Sequence, residues 1–334
     1  MKSEMFPSLE ERRKLKQIPR RFKDRRILVI GDLMLDHYIR GSVNRLSPEA
    51  PVPIVQVKEE SFVPGGAGNV AANLSALLGK VEIIGVIGED SSGLELQSHF
   101  AASKIGTIGL VRDPARVTSQ KCRVVAERQQ VVRYDRESTS PVAGKTEAQI
   151  LSHIQSEIKR SDAVILSDYG KGVLTPRILK TAISLSLRAQ IPVIVDPKIE
   201  HFRRYRQVTC VTPNLNEAWN GMRRVQKHGE EELEKLGRDM IKTLNSDSAL
   251  ITRGPEGMSL FQKSRPTVHV PAQAREVFDV SGAGDTVIAT LTLALASGAS
   301  LTEAALISNY AAGIVVGKLG TATTTIEEIE GVIP

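Results

Sequence analysis

Cysteine is nearly absent: Cys122 and Cys210 are the only two in 334 residues. Two isolated cysteines build neither a disulfide framework nor a zinc site, and free cysteines are most often buried, reduced core residues. No stretch reaches the roughly 18–20 uninterrupted apolar residues that a membrane span requires. The opening "MKSEMFPSLEERRKLKQIPRRF" lacks the apolar centre of a secretory signal. No GxxxxGK[ST] loop occurs, so a Walker A phosphate site is excluded. Internal repeats and low-complexity linkers are missing too. These absences leave a cytoplasmic globular protein as the expectation, with one large domain or two ordinary ones.

Charge is unevenly placed. The chain carries a formal +6. All of it lies in residues 1–26, which hold ten Lys/Arg against four Asp/Glu, while the rest carries 34 of each sign. Basicity confined to a leader argues against a nucleic-acid surface. Residues 1–26 are expected to form a solvated, partly helical basic extension, with a membrane-surface or partner contact as the alternative.

From residue 27 onward, strands and helices alternate. "RILVIGD" (26–32), "VEIIGVIG" (81–88), "AVILSD" (163–168), "VIVDP" (193–197) and "SALITRG" (248–254) are short apolar runs that read as buried strands. Helical spacing marks 69–79, about 144–158, 175–189, 284–297 and 301–317. Such alternation predicts an α/β fold with a doubly wound, mostly parallel sheet covered by helices on both faces. Two strand-rich segments interrupt the rhythm, at about 37–63 and 118–135. They predict a small antiparallel β lid, or a plain edge extension.

Glycine-rich stretches carry the chemistry. "PGGAGNVAA" (64–72) contains GxGxxA at Gly66, Gly68 and Ala71, a dinucleotide-site pattern. That motif needs a buried strand directly before its first glycine, and Phe62-Val63-Pro64 after a projecting hairpin is the wrong context. "DVSGAGD" (279–285) fits another use. Gly282 and Gly284 let successive N–H groups converge as an anion nest. The helix that follows adds the positive end of its dipole. A carboxylate beside an anion site is awkward unless it has a task, and Asp285 could deprotonate a hydroxyl that attacks phosphorus. The alternative is a first-turn carboxylate favoured by the helix dipole. In "TPNLNE" (212–217), Asn214 and Glu217 stand at i, i+3, where they suit a hydrated magnesium ion carrying phosphates or, equally, a capping box.

Gly65-Gly66, "TPNLNE" and "DVSGAGD", in that order, resemble the ribokinase/PfkB family of sugar kinases. The resemblance extends over nearly all of the chain after residue 26. "GDLMLDHY" (31–38), "RLSPEAPVPI" (45–54), "SDYGKG" (167–172), "DPK" (196–198) and "GIVVGKLGT" (313–321) are similar to the branch that acts on D-glycero-D-manno-heptose 7-phosphate. The resemblance implies a ribokinase-like kinase domain over 27–334. It implies Asp285 as catalytic base, with Gly282, Ala283 and Gly284 as the anion hole. It implies an ATP and magnesium segment at Asn214, Leu215, Asn216 and Glu217, with Glu217 holding Mg2+ through water. Thr252 and Gly254 would contact phosphates and Asn309 would line the adenine pocket. Asp32, Asp36, Gly65, Gly66 and Asn69 would bind the sugar, and Asp279 would lie beside a monovalent-cation loop. Three positions depart from the pattern: Ser281 for Thr, Gly68 for Ala, and His201 for an acidic residue. Related bifunctional proteins append a nucleotidyltransferase domain, so an end at Pro334 implies that this second activity is missing.

A substrate that already carries a phosphate needs fixed cations at its far end. Arg133 in "VVRYD" and Lys171 in "SDYGKG" are the expected pair, with Arg45 and Arg123 next. The expected reaction converts the heptose 7-phosphate to the 1,7-bisphosphate, an early step toward lipopolysaccharide-core heptose. Another PfkB sugar or sugar-phosphate kinase of fructose-phosphate or ribose type is the nearer alternative. A non-catalytic sugar sensor is the more distant one. Apolar alternation in the lid predicts a homodimer through its strands.

Overall fold

The computed structural model describes residues 9–127, 129–273 and 276–334. Residues 1–8 of the basic leader and Arg128 of the lid segment lie outside the described residues. Helix α1 (Leu9–Gln17) is followed by β1 (Arg26–Gly31), β2 (Leu33–Leu46), β3 (Pro53–Gly66), α2 (Ala67–Ala76), β4 (Lys80–Ile87), α3 (Ser91–Ala102) and β5 (Gly106–Arg112). Next come β6 (Ser119–Ala126), β7 (Gln129–Arg136), α4 (Gly144–Glu157), β8 (Ala163–Ser167), α5 (Pro176–Ala189), β9 (Val193–Asp196), β10 (Cys210–Val211) and α6 (Leu215–Gly221). The chain ends with α7 (Glu230–Leu244), β11 (Ser248–Thr252), β12 (Met258–Gln262), β13 (Val268–Val270), α8 (Ala283–Ala296), α9 (Leu301–Val315) and α10 (Ile326–Val332).

The large sheet has nine strands in the order β13-β12-β11-β10-β9-β8-β1-β4-β5. Every pair is parallel except β11–β12 and β12–β13. Alternate residues of the central strands feed separate cores. Ile27 and Val29 of β1 join one core with α2 and α8, whereas Leu28 and Ile30 join the other with α4, α5 and α7. A strand buried on both faces must read as a continuous apolar run, which is why β1, β4, β8 and β9 stand out in the sequence. Both cysteines are buried, as expected for core residues. Among the described residues, no helix is long and apolar enough to cross a membrane.

A second sheet of four strands runs β3-β2-β6-β7 and forms the lid. Each hairpin is antiparallel, but β2 and β6 join them in parallel. The lid is thus two hairpins side by side, a refinement of the antiparallel expectation that follows from the long excursion between β3 and β6.

The basic leader is not a free extension. Leu15, Ile18 and Phe22 are buried in the core that contains α8, α9 and α10. Lys14 pairs with Glu303 at 2.6 Å, and Arg20 grips both carboxylate oxygens of Glu330 at 2.7 and 2.9 Å. The apolar side of α1 and the turn after it fasten residues 14–22 to α9 and α10, with Lys14 and Arg20 exposed at the edge.

Candidate active site

The C-terminal ends of β1, β8, β9 and β10 lie side by side, where ligands of open parallel sheets bind. Helix α8 enters this edge with Gly282 as its N-cap, at φ 79°. A Cβ there would be strained and would sit 2.7 Å from the Asn69 amide, so glycine is required on both counts. Gly284 faces open space. The helix has no side-chain cap, which leaves its first-turn N–H groups for a ligand. Gly282, Ala283 and Gly284 therefore open α8 with no side chain capping its first turn.

Asp285 lies in that first turn, 6% exposed. Its Oδ2 accepts a hydrogen bond from Asn69 Nδ2 at 2.6 Å, and its Oδ1 accepts one from the Tyr169 hydroxyl at 2.8 Å. The Asn69 amide has a neighbour on its other side: Asn73 Nδ2 donates to the Asn69 backbone oxygen at 2.9 Å and lies 3.4 Å from Asn69 Oδ1, and Thr286 Oγ1 donates to Asn73 Oδ1 at 2.8 Å. Burial pushes the Asp285 carboxyl up to about 6, against the pull of its bonds from Asn69 and Tyr169. Asp36 raises it further and Lys121 lowers it. The group stays ionised at neutral pH yet is basic enough to take a proton, the condition for a general base.

Tyr169 reaches Asp285 because Asp32 holds its loop. Asp32 Oδ2 accepts from the backbone N–H of Tyr169 at 2.9 Å and of Lys171 at 3.0 Å, and Oδ1 accepts from Val173 at 3.0 Å. Both oxygens of Asp32 are thus engaged by backbone, and burial pushes its carboxyl up. The sequence expectation placed Asp32 on the sugar; in the fold its two oxygens hold the loop that carries Tyr169 and Lys171. Asp36 receives Arg123 Nη1 at 2.5 Å, and the bare Cα of Gly65 makes room for its carboxylate. Gly66, at φ 57°, caps α2 with Asp32 O and Met34 Cε inside the space a Cβ would need.

The expected distal cations separate. Lys171 Nζ pairs with Glu137 at 2.6 Å, close to the cleft. Arg133 lies on β7, whose eight residues are all exposed, and pairs with Asp135 at 3.1 Å. Arg45 is exposed and Arg123 is committed to Asp36.

On the donor side, Asn214 and Glu217 make the capping box: Asn214 Oδ1 accepts from Glu217 N, and Glu217 Oε2 accepts from Asn214 N, both at 2.9 Å. Leu215 and Asn216 begin α6 between them. Asn214 also bridges to Thr252 at the end of β11. Gly254, at φ 60°, turns with no atom near its Cβ direction. Asn309 is buried and donates to Pro271 O at 2.7 Å, just beyond β13. Asp279 accepts from Ser281 N at 2.9 Å and Gly320 N at 3.1 Å, so it ties two loops together.

The sequence reading singled out neither Tyr169 in "SDYGKG" nor Asp196 in "DPK"; both motifs were visible, but these two side chains meet only because β8 neighbours β9. Asp196 ends β9 beside Tyr169, and burial, then Asp285 and Glu217, push its carboxyl well above the usual range. Lys121 on β6 points its ammonium at the Tyr169 ring, 5.9 Å from the centroid. His201, a departure in sequence, is engaged: its Nδ1 lies 2.7 Å from Asp168 Oδ2, which also accepts from the Tyr205 hydroxyl at 2.7 Å. Asp168 in turn accepts from Gly170 N at 2.9 Å and steadies the same loop.

Residues 24–328 match the sequence family described as pfkB family carbohydrate kinase. The chain is 46% identical over 319 residues to the bifunctional protein HldE of Trichlorobacter lovleyi, covering 96% of this chain and 65% of that protein. It is 45% identical over 304 residues to HldE of Geobacter sulfurreducens, covering 91% and 62% respectively. The chain thus spans a little under two thirds of the length of these relatives. The fold is similar to phosphofructokinase-2 from Escherichia coli in complex with potassium, with TM-score 0.78 and 20% identity over 93% of this chain and 98% of that one. Arabidopsis thaliana ribokinase complexed with ribose and ATP has TM-score 0.73 and 17% identity over 93% and 99%.

Proposed function

The chain belongs to the pfkB family of carbohydrate kinases, and from that premise we propose that it transfers the γ-phosphoryl group of ATP to the anomeric hydroxyl of D-glycero-D-manno-heptose 7-phosphate. The observation that carries the chemistry is the Asp285 carboxylate, buried at an open helix N-terminus and held from both sides by Asn69 and Tyr169. The heptose-phosphate substrate rests on the sequence stretches shared with that branch and on the high identity to the HldE proteins.

In this reading Asp285 removes the proton of the anomeric hydroxyl as it attacks in line. The first-turn N–H groups at Gly282, Ala283 and Gly284 receive the charge that develops on the phosphoryl oxygens. Asn214, Leu215, Asn216, Thr252, Gly254 and Asn309 hold ATP. The donor set fits magnesium kept hydrated. Burial, then Asp285 and Glu217, raise the proton affinity of Asp196, and among the described residues no cluster of three such groups could hold an ion directly. A hydrated Mg2+ would stand near Glu217, neutralising the phosphates when bound. Asp279, which draws the 279–281 and 320 backbone together, marks the place to test a potassium requirement.

The lid closes over the sugar and excludes water. We place a homodimer contact on β7, whose Val131, Val132 and Tyr134 are exposed. The protein is taken to work in the cytoplasm on lipopolysaccharide-core heptose. Incubation with ATP and the heptose 7-phosphate, followed by phosphorus NMR, tests the reaction. A new anomeric phosphate beside the original one is expected; a product phosphorylated elsewhere on the ring contradicts it.

A further inference from the structure

A lysine on the cleft face of the lid stands outside the ion pairs that its cationic neighbours make. Lys121 and Arg123 lie two residues apart on β6, so both side chains point the same way. Their contacts show that this way is into the cleft: Arg123 reaches Asp36, and Lys121 reaches Tyr169. Arg123 is satisfied by Asp36, Lys171 by Glu137 and Arg133 by Asp135. Lys121 is partly buried, and no ion pair joins it to a carboxylate among the described residues. Burial lowers its proton affinity, and its cross-strand neighbours Asp36 and Asp135 offset this only in part because Lys171 and Arg123 act against them.

A partly buried ammonium beside two other cations is costly unless a ligand charge offsets it. One Tyr169 side chain separates Lys121 from the catalytic base, since that ring faces the ammonium and its hydroxyl bonds Asp285. A hexose-sized ring with its reacting hydroxyl at Asp285 would therefore extend toward Lys121 and Lys171. A phosphate monoester brings a charge of about −1.5 to −2 at neutral pH, enough to answer Lys121 and to compete with Glu137 for Lys171.

We propose that Lys121, with Lys171 beside it, anchors the distal phosphate of the acceptor, in place of the exposed Arg133. The assignment rests on the sugar-phosphate reading above and names the specificity-determining residue within it. Lysine suits a site where the anion arrives on a flexible arm, because its charge is compact and its donors rotate.

The test compares Lys121→Met with wild type on two acceptors, the heptose 7-phosphate and the same heptose without phosphate. Methionine keeps an unbranched stem and removes the charge. Loss of one charge-assisted contact should raise KM for the phosphorylated sugar by roughly 10- to 100-fold, with kcat and ATP affinity little changed. At about pH 8, well above the Asp285 carboxyl at about 6, where the loss of Lys121's pull on that carboxyl no longer matters, the unphosphorylated heptose should be used equally by both proteins, and Lys121→Arg should recover most of the affinity. Unchanged KM for the phosphorylated sugar would overturn the assignment. So would a loss of kcat at constant KM, which would place Lys121 on the transferred phosphoryl group. Equal damage to both acceptors would make its role merely structural. If the wild type itself prefers the unphosphorylated sugar, the sugar-phosphate reading falls first and the anchor falls with it.

Discussion

Asp285 on the floor of the cleft and Arg133 on the lid are both charged and both hydrogen-bonded, yet their settings are opposite. Asp285 is nearly inaccessible, and its two donors come from elements far apart in sequence, α2 and the loop after β8. Arg133 is half exposed, and its partner Asp135 is two residues away on the same strand. An exposed local pair of this kind is worth little and is easily exchanged. A buried carboxylate with fixed donors is set before any substrate arrives. In the proposed reaction the floor would therefore need no rearrangement, whereas the lid carries charges that a ligand can redirect.

The comparison is most severely tested at the base itself. Asp285→Asn keeps the shape but cannot accept a proton, and kcat should fall by roughly 10²- to 10⁴-fold, with nucleotide affinity retained. Turnover within tenfold of wild type would remove Asp285 from its role. The same variant has a stability signature. The folded-state carboxyl, at about 6, lies above an unfolded aspartate. Its contribution to stability is thus full at low pH and lost as pH rises through about 6. The melting temperature of Asp285→Asn relative to wild type should therefore climb between pH 5 and pH 8; a flat difference would mean the carboxyl is not raised.

A smaller change is expected at Tyr169, whose hydroxyl holds the Asp285 carboxyl down. In Tyr169→Phe that restraint is gone, so the acid limb of kcat/KM should move to higher pH. An unmoved limb with uniformly lower kcat would make Tyr169 a packing residue only. Smallest of all should be Val132→Glu on the exposed β7. It should shift a dimer toward monomer in light scattering and leave the acid limb where it was. A monomeric wild type at micromolar concentration would remove the lid contact altogether.

The parts legible in sequence are those governed by local pattern. Two-sided burial makes β1, β4, β8 and β9 continuous apolar runs, and backbone demands fix Gly66 and Gly282. What escaped depends on contacts between distant segments. The leader reads as ten basic residues, and its Leu15, Ile18 and Phe22 are outnumbered by charge. Their spacing of three and four is nevertheless that of one helical face. The parallel pairing of β2 with β6 has no local signature, because more than fifty residues separate them. Tyr169 and Lys121 look like ordinary loop and strand residues until β8 and β6 are brought to the same cleft. Asp32 shows the reverse: its motif was plain, but its three backbone partners were not.

The central claim is that this cleft phosphorylates a sugar that already bears a phosphate. ADP release measured across a panel of sugars and sugar phosphates tests it most directly. The account predicts that D-glycero-D-manno-heptose 7-phosphate is used with the highest kcat/KM, and that the same heptose without its phosphate is a poor substrate. Free ribose or fructose used as efficiently as the heptose phosphate would contradict it.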